Sequence, residues 1–162
     1  MRNFNLFSAT VILLVVPHLA LAAVGDGCAY TPDYWAENPD AWPVDQLDVG
    51  KITRDKNELL ALLDTRGNGP NLGQLMRETI AAKLNVANGA PADIGPYITW
   101  ADGLLLWGKI KGHTTITVVG DMNTINDVRR VLADYNAQGC PGAAGKTFEE
   151  TTSFSGLKAR YK

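Results

Sequence analysis

Four runs along the chain place apolar side chains at helical spacing. The first starts at Thr53 or Asp55, either of which can cap a helix, and carries Leu59, Leu60, Leu62 and Leu63 to about Leu63 or Asp64. Gly67-Asn68-Gly69-Pro70 stops it. A second run opens at Pro70 or Asn71 and reaches about Asn88, with Leu72, Leu75, Met76, Ile80, Leu84 and Ala87 on one stripe. Arg77, Glu78 and Lys83 fall on its outward side, and Asn88-Gly89-Ala90-Pro91 breaks it. The third run, about Asp93 to Lys109, combines Ile94, Tyr97, Ile98, Ala101, Leu104 and Leu105 with Trp100 and Trp107, a surface broad enough for a central helix. In the fourth, Asp121 or Asn123 caps a helix with Met122, Ile125, Val128, Leu132 and Tyr135 inward, closing over Asn136 to Gly139.

Between these runs the pattern weakens. Val44 to Ile52 reads as a linker with a short apolar contact from Leu47 and Val49. Thr114 to Val119 is β-prone, but with no comparable strand to pair with it reads as an extended lead-in to the last helix. The expected fold is therefore all-α: a small bundle of about four helices preceded by two short capped turns.

The capped turns lie in the stretch from Tyr30 to Pro43. Thr31-Pro32-Asp33-Tyr34-Trp35 and Asn38-Pro39-Asp40-Ala41-Trp42 each begin with a capping side chain, place proline first in the helix and an acid near its positive end. Pro39 and Pro43 keep both units to about a turn or two.

At the N-terminus, Arg2, the apolar run Leu6 to Val16 and Ala20-Leu21-Ala22 read as a secretory signal over residues 1–22, cleaved before Ala23. The run is shorter than the roughly 20 residues a spanning helix needs, and no membrane span is expected after cleavage. A single helical domain over residues 23–140 and a flexible tail over 141–162 follow; the tail is locally basic through Lys158, Arg160 and Lys162. An exported chain, secreted or periplasmic, would meet an extracellular or cell-envelope partner.

Composition narrows the chemistry. The chain has 2 cysteines, Cys28 and Cys140, and in an exported protein an even count favours a disulfide; an intermolecular bridge or a reactive thiol are the competing readings. A net charge of −2 gives no reason to expect nucleic acid. Asp26, Asp33, Glu37, Asp40, Asp45 and Asp48 lie in a stretch without Lys or Arg, but their spacing is not that of a calcium loop. Phosphate-binding loops, dinucleotide fingerprints, zinc motifs and nucleophile elbows are missing from the sequence, so no cofactor and no metal site are expected.

The motif Tyr34-Trp35-Ala36-Glu37-Asn38-Pro39-Asp40-Ala41-Trp42-Pro43 resembles the Tyr-Trp-Lys-Asn-His-Pro-Glu-Ala-Trp-Pro signature of a family of exported, mainly bacterial modules of uncharacterised function. The resemblance returns at Ile80 to Ala90 and, more weakly, at Leu132 to Asn136. The lysine and histidine of the signature are replaced here by Ala36 and Asn38, while the aromatic and proline frame stays, which fits a structural motif better than a catalytic one.

Three functional readings follow. The first is an exported non-enzymatic interaction or structural module in which Tyr34, Trp35, Asp40, Trp42 and Pro43 form a folded clasp. The second is a carbohydrate or small-ligand binding domain using exposed Trp35, Trp42, Trp100 or Trp107. The third is a hydrolase in which Glu37 works with Asp40 or Asp33 as acid and base.

Overall fold

Helix α3 (Gln74–Ala87) is the element on which the others converge: α1 (Pro32–Glu37), α2 (Lys56–Leu63), α4 (Gly95–Leu104), α5 (Met122–Asn136) and strand β1 (Gln46–Val49) all contact it. The computed structural model describes residues 25–64, 72–110, 113–118 and 121–141. The signal expected over 1–22, the helix stop at Gly67 to Pro70 and the tail beyond Pro141 lie outside the described residues. No described helix is long and apolar enough to cross a membrane.

The fold is mostly helical, as the periodic runs require. On α3, Leu75, Met76, Ile80 and Leu84 are buried, and so are the small Ala81 and Ala82. From α2 come Leu59 and Leu63, from α4 Tyr97, Ala101 and Leu104, and from α5 Ile125, Val128, Val131, Leu132 and Tyr135. The centre is α3 rather than the third run, because α3 alone buries apolar or small residues on most of its circumference. Met122 sits in the first turn of α5 and is half-exposed rather than part of the inward stripe.

Caps set the helix limits. Asp55, not Thr53, starts α2, accepting from the Glu58 amide at 2.9 Å while Glu58 accepts from the Asp55 amide at 3.2 Å, a reciprocal capping box. Asp121 starts α5 by accepting from the Asn123 and Thr124 amides at 2.8 and 3.0 Å. These bonds, the Thr124 amide foremost, hold the Asp121 carboxyl below its usual range. At the end of α3, Gly89 has a φ of 90°, Ala90 N–H donates to the Asn85 carbonyl at 2.9 Å and Gly89 N–H to that of Val86 at 3.1 Å, closing a Schellman turn.

The all-α expectation holds in outline, and two antiparallel hairpins add to the helices. Strand β1 pairs with β2 (Ile52–Asp55), Val49 opposite Ile52, through Gly50 and Lys51. Both turn residues have positive φ, 59° and 67°, the geometry whose twist matches a tight hairpin. The stretch read as a linker is thus a hairpin packed on α2 and α3, with Val49 fully buried.

The second correction concerns the third run. Helix α4 ends at Leu104, well short of Lys109, and the chain continues as β3 (Leu105–Ile110), paired with β4 (His113–Val118). The β-prone segment after His113 therefore does have a partner, and the partner is the stretch whose apolar side chains also matched helical spacing. Trp107 lies in β3 opposite Ile116 instead of on a helix with Trp100. Short apolar runs satisfy either period, and Gly108 with β-branched Ile110 weakens the helical alternative.

Candidate functional site

The N-terminal aromatic motif is the one feature the sequence singles out, and it folds inward. Thr31 caps α1, its Oγ1 accepting from the Tyr34 amide at 3.3 Å with Pro32 following. Asn38 does not cap the following 3₁₀ turn (Pro39–Ala41) with its side chain; its Nδ2 donates back to the Tyr34 carbonyl at 2.9 Å and closes α1. The tight change of direction brings Trp42 back to α1, and Trp42 Nε1 donates to the Trp35 carbonyl at 2.8 Å. Trp35 is 1% exposed and Trp42 8%. Lys56 lies 5.7 Å from the Trp42 ring centroid, a cation over its remaining face.

Beneath the motif lies a buried side-chain amide, Asn85 of α3, which is 0% exposed. Its Oδ1 accepts from Trp35 Nε1 and from the Tyr30 amide, each at 2.8 Å. Its Nδ2 donates to the Tyr30 carbonyl at 2.9 Å and to Asn136 Oδ1 at 2.8 Å. All the bonding capacity of one carboxamide is used. Asn136 of α5, 1% exposed, passes the network on: its Nδ2 donates to the Glu78 carbonyl at 3.0 Å and to Glu78 Oε2 at 2.8 Å. Glu78 is half-buried, and that burial pushes its carboxyl above the usual range against the opposing pull of Asn136, Arg129 and Arg77.

A second set of bonds fixes the segment before the motif. Asn88 Nδ2 donates to Asp26 Oδ1 at 2.6 Å and to the Cys28 carbonyl at 3.2 Å, and the Asn88 carbonyl accepts from the Gly27 amide at 3.0 Å. Gly25 passes so close that an added Cβ would fall 2.1 Å from the Asn88 carbonyl oxygen. Ala29 and Gly139 exchange backbone bonds at 2.9 and 3.2 Å, and next to them Cys28 and Cys140 form an intramolecular disulfide.

Above the buried indoles, Tyr30 and Tyr34 stack at 3.9 Å between ring centroids, and each meets Trp35 edge-on. The Tyr30 hydroxyl donates to Asp26 Oδ2. That bond, followed by the Cys28 amide, holds the Asp26 carboxyl below its usual range; the same bond, followed by burial, pushes Tyr30 up to about 12.

The remaining candidates are placed differently. Asp33, Glu37 and Asp40 are all exposed, and Asp33 is paired with Arg77 of α3. Trp35 and Trp42 offer no open ring face for a ligand. Trp100 is partly buried against the core, and the Trp107 side chain lies outside the described residues. Among the described residues no group of three or more His, Cys, Asp or Glu side chains could hold a metal ion.

Motif reading alone missed Asn85, Asn88, Asn136 and Glu78, the residues that hold the motif. The signal was slight: Asn85 lies in the last turn of α3, where an asparagine passes for an ordinary helix-end residue and its buried partners are far away in sequence. The three stretches carrying the family resemblance, 34–43, 80–90 and 132–136, meet in this network. No protein family, curated protein or solved structure matches this chain.

Proposed function

We propose that the chain is an exported, non-enzymatic structural or interaction module, related to the uncharacterised bacterial family its motif resembles, and that the motif is a clasp closing a small helical bundle. One observation carries the reading: both indole N–H groups of the motif bond to internal acceptors, Trp35 to Asn85 and Trp42 to the Trp35 carbonyl, beneath buried rings. A ligand-binding tryptophan needs an open face or a free N–H; these have neither. The disulfide and the lack of a spanning helix among the described residues are compatible with an extracellular or periplasmic setting and a partner there.

Truncating Trp35 to alanine removes a buried aromatic and strands Asn85, which should cost about 3–5 kcal/mol. A specific observation favours one second reading. The Tyr30–Tyr34 stack is only half-buried and flanked by Asp26, so a sugar or aromatic ligand has a surface there that the tryptophans do not provide. A glycan and cell-wall pull-down with residues 23–162 separates the two. The clasp reading expects no saturable retention. Retention abolished by Tyr34→Ala at unchanged melting temperature would overturn it in favour of binding.

A further inference from the structure

The amide network has a direction. Trp35 Nε1 donates to Asn85, Asn85 Nδ2 donates to Asn136, and Asn136 Nδ2 donates to Glu78. Each step points its donor toward the same end, a carboxyl group that is only half-buried and so can exchange a proton with solvent. Aligned hydrogen bonds polarise one another, and a negative charge on the last acceptor draws every bond in the series tighter.

We propose that Glu78 is a proton-responsive terminus whose ionisation state is transmitted through Asn136 and Asn85 to the Trp35 indole, making the N-terminal clasp sensitive to pH. The charged groups facing the Glu78 carboxyl are Arg129 from α5, Arg77 from its own helix and Asp33 from α1. Arg77 is shared with Asp33, and Arg129 Nε, though buried, has no hydrogen-bond partner among the described residues. The two guanidinium groups therefore act on Glu78 mainly through their field, and its burial prevails over them. The responsive range thus lies above that of an ordinary glutamate, whose midpoint is about 4.3.

Protonation has two separable effects. It relieves the burial of a charge, so Glu78 contributes more to stability on the acid side; it also removes the pull on the relay, so the Trp35 N–H···Asn85 bond lengthens. A structural carboxyl outside the relay would show the first effect and not the second.

The test is a nuclear magnetic resonance titration of the full disulfide-bonded chain between about pH 4 and pH 8, following the Glu78 carboxyl carbon, the Asn85 and Asn136 side-chain amides and the two indoles of the clasp. The expected result is one shared midpoint for Glu78, both amides and the Trp35 indole proton, which moves upfield on protonation. The Trp42 indole, which ends on a backbone carbonyl, should move less. Glu78→Gln, which keeps the acceptor, should abolish the Trp35 transition, and Asp33→Asn should leave it in place. A Trp35 indole that stays fixed while Glu78 titrates overturns the proposal. So does a transition that survives Glu78→Gln or disappears in Asp33→Asn. Should Glu78→Gln not fold, the wild-type midpoints decide: coincidence supports the relay and separation overturns it.

Discussion

Replacing Asn85 by alanine is the most revealing perturbation of this molecule, because one side chain satisfies four groups that the fold has removed from water. The substitution strands the Trp35 indole N–H, the Tyr30 amide and carbonyl, and Asn136 Oδ1. Each unsatisfied buried group costs about 1–3 kcal/mol, so the simple sum is about 4–12 kcal/mol. A water entering the vacated space can restore two to four of these bonds, which places the net loss at about 4 kcal/mol. For a domain of this size about 3 °C of melting temperature accompanies each kcal/mol, giving a fall of about 12 °C by calorimetry or circular dichroism. Asn85→Asp sharpens the test. It keeps an acceptor for Trp35 and Tyr30 but turns a carboxylate oxygen toward the Tyr30 carbonyl and Asn136 Oδ1, raising its folded-state pKa. Its stability contribution is then present below the ordinary aspartate value and lost as pH rises through the raised one, so this variant should recover on acidification while Asn85→Ala does not. A loss under about 1 kcal/mol for Asn85→Ala, or an Asn85→Asp variant indifferent to pH, would refute the reasoning.

Glu78→Gln should stabilise the protein at neutral pH and narrow its advantage over wild type in acid, since the raised Glu78 carboxyl contributes stability fully below its unfolded value and loses it as pH rises through the folded one; urea midpoints at several pH values check this. Reducing the Cys28–Cys140 disulfide, which spans a sequence separation of 112, should cost up to about 4–5 kcal/mol, with Ala29–Gly139 pairing and the Asn88 bonds keeping the segment docked at moderate temperature; denaturation with and without reductant reads the difference. Lys51→Gly should be neutral to stabilising by about 1 kcal/mol, because relief of the left-handed strain at a φ of 67° outweighs or matches glycine's entropy in the unfolded chain; a lowered urea midpoint contradicts the hairpin turn.

The helical part of the fold was legible because its apolar stripes are long. Leu75, Met76, Ile80 and Leu84 on α3 could be placed inward from spacing alone, and Asp55 and Asp121 could be nominated as caps from residue type. The hairpins were not legible for opposite reasons. Around Gly50-Lys51 the strands are only four residues each and the turn lacks the usual Asn-Gly or Asp-Gly pair, so local chemistry gave little warning. Around Trp107 the warning was ambiguous, since Trp100, Leu104 and Trp107 fall on one face of a helix that the chain does not continue to build. The disulfide followed from the cysteine count and the compartment expected from the N-terminal residues. The N-terminal motif was visible from its aromatic and proline residues, but its anchor was hidden, because a buried asparagine differs from a surface one only through partners that are distant in sequence: Asn85 meets Tyr30 and Trp35 at separations of 55 and 50 residues.

Hydrogen exchange at the Trp35 indole N–H tests the central claim most directly. If the motif is a clasp bonded to Asn85 in the core, that proton should exchange only through opening of the clasp, with protection comparable to the buried amides of α3 and slower by orders of magnitude than a free indole. Exchange at the rate of an exposed tryptophan, with α3 still protected, would contradict the account and return the motif to the surface as a binding element.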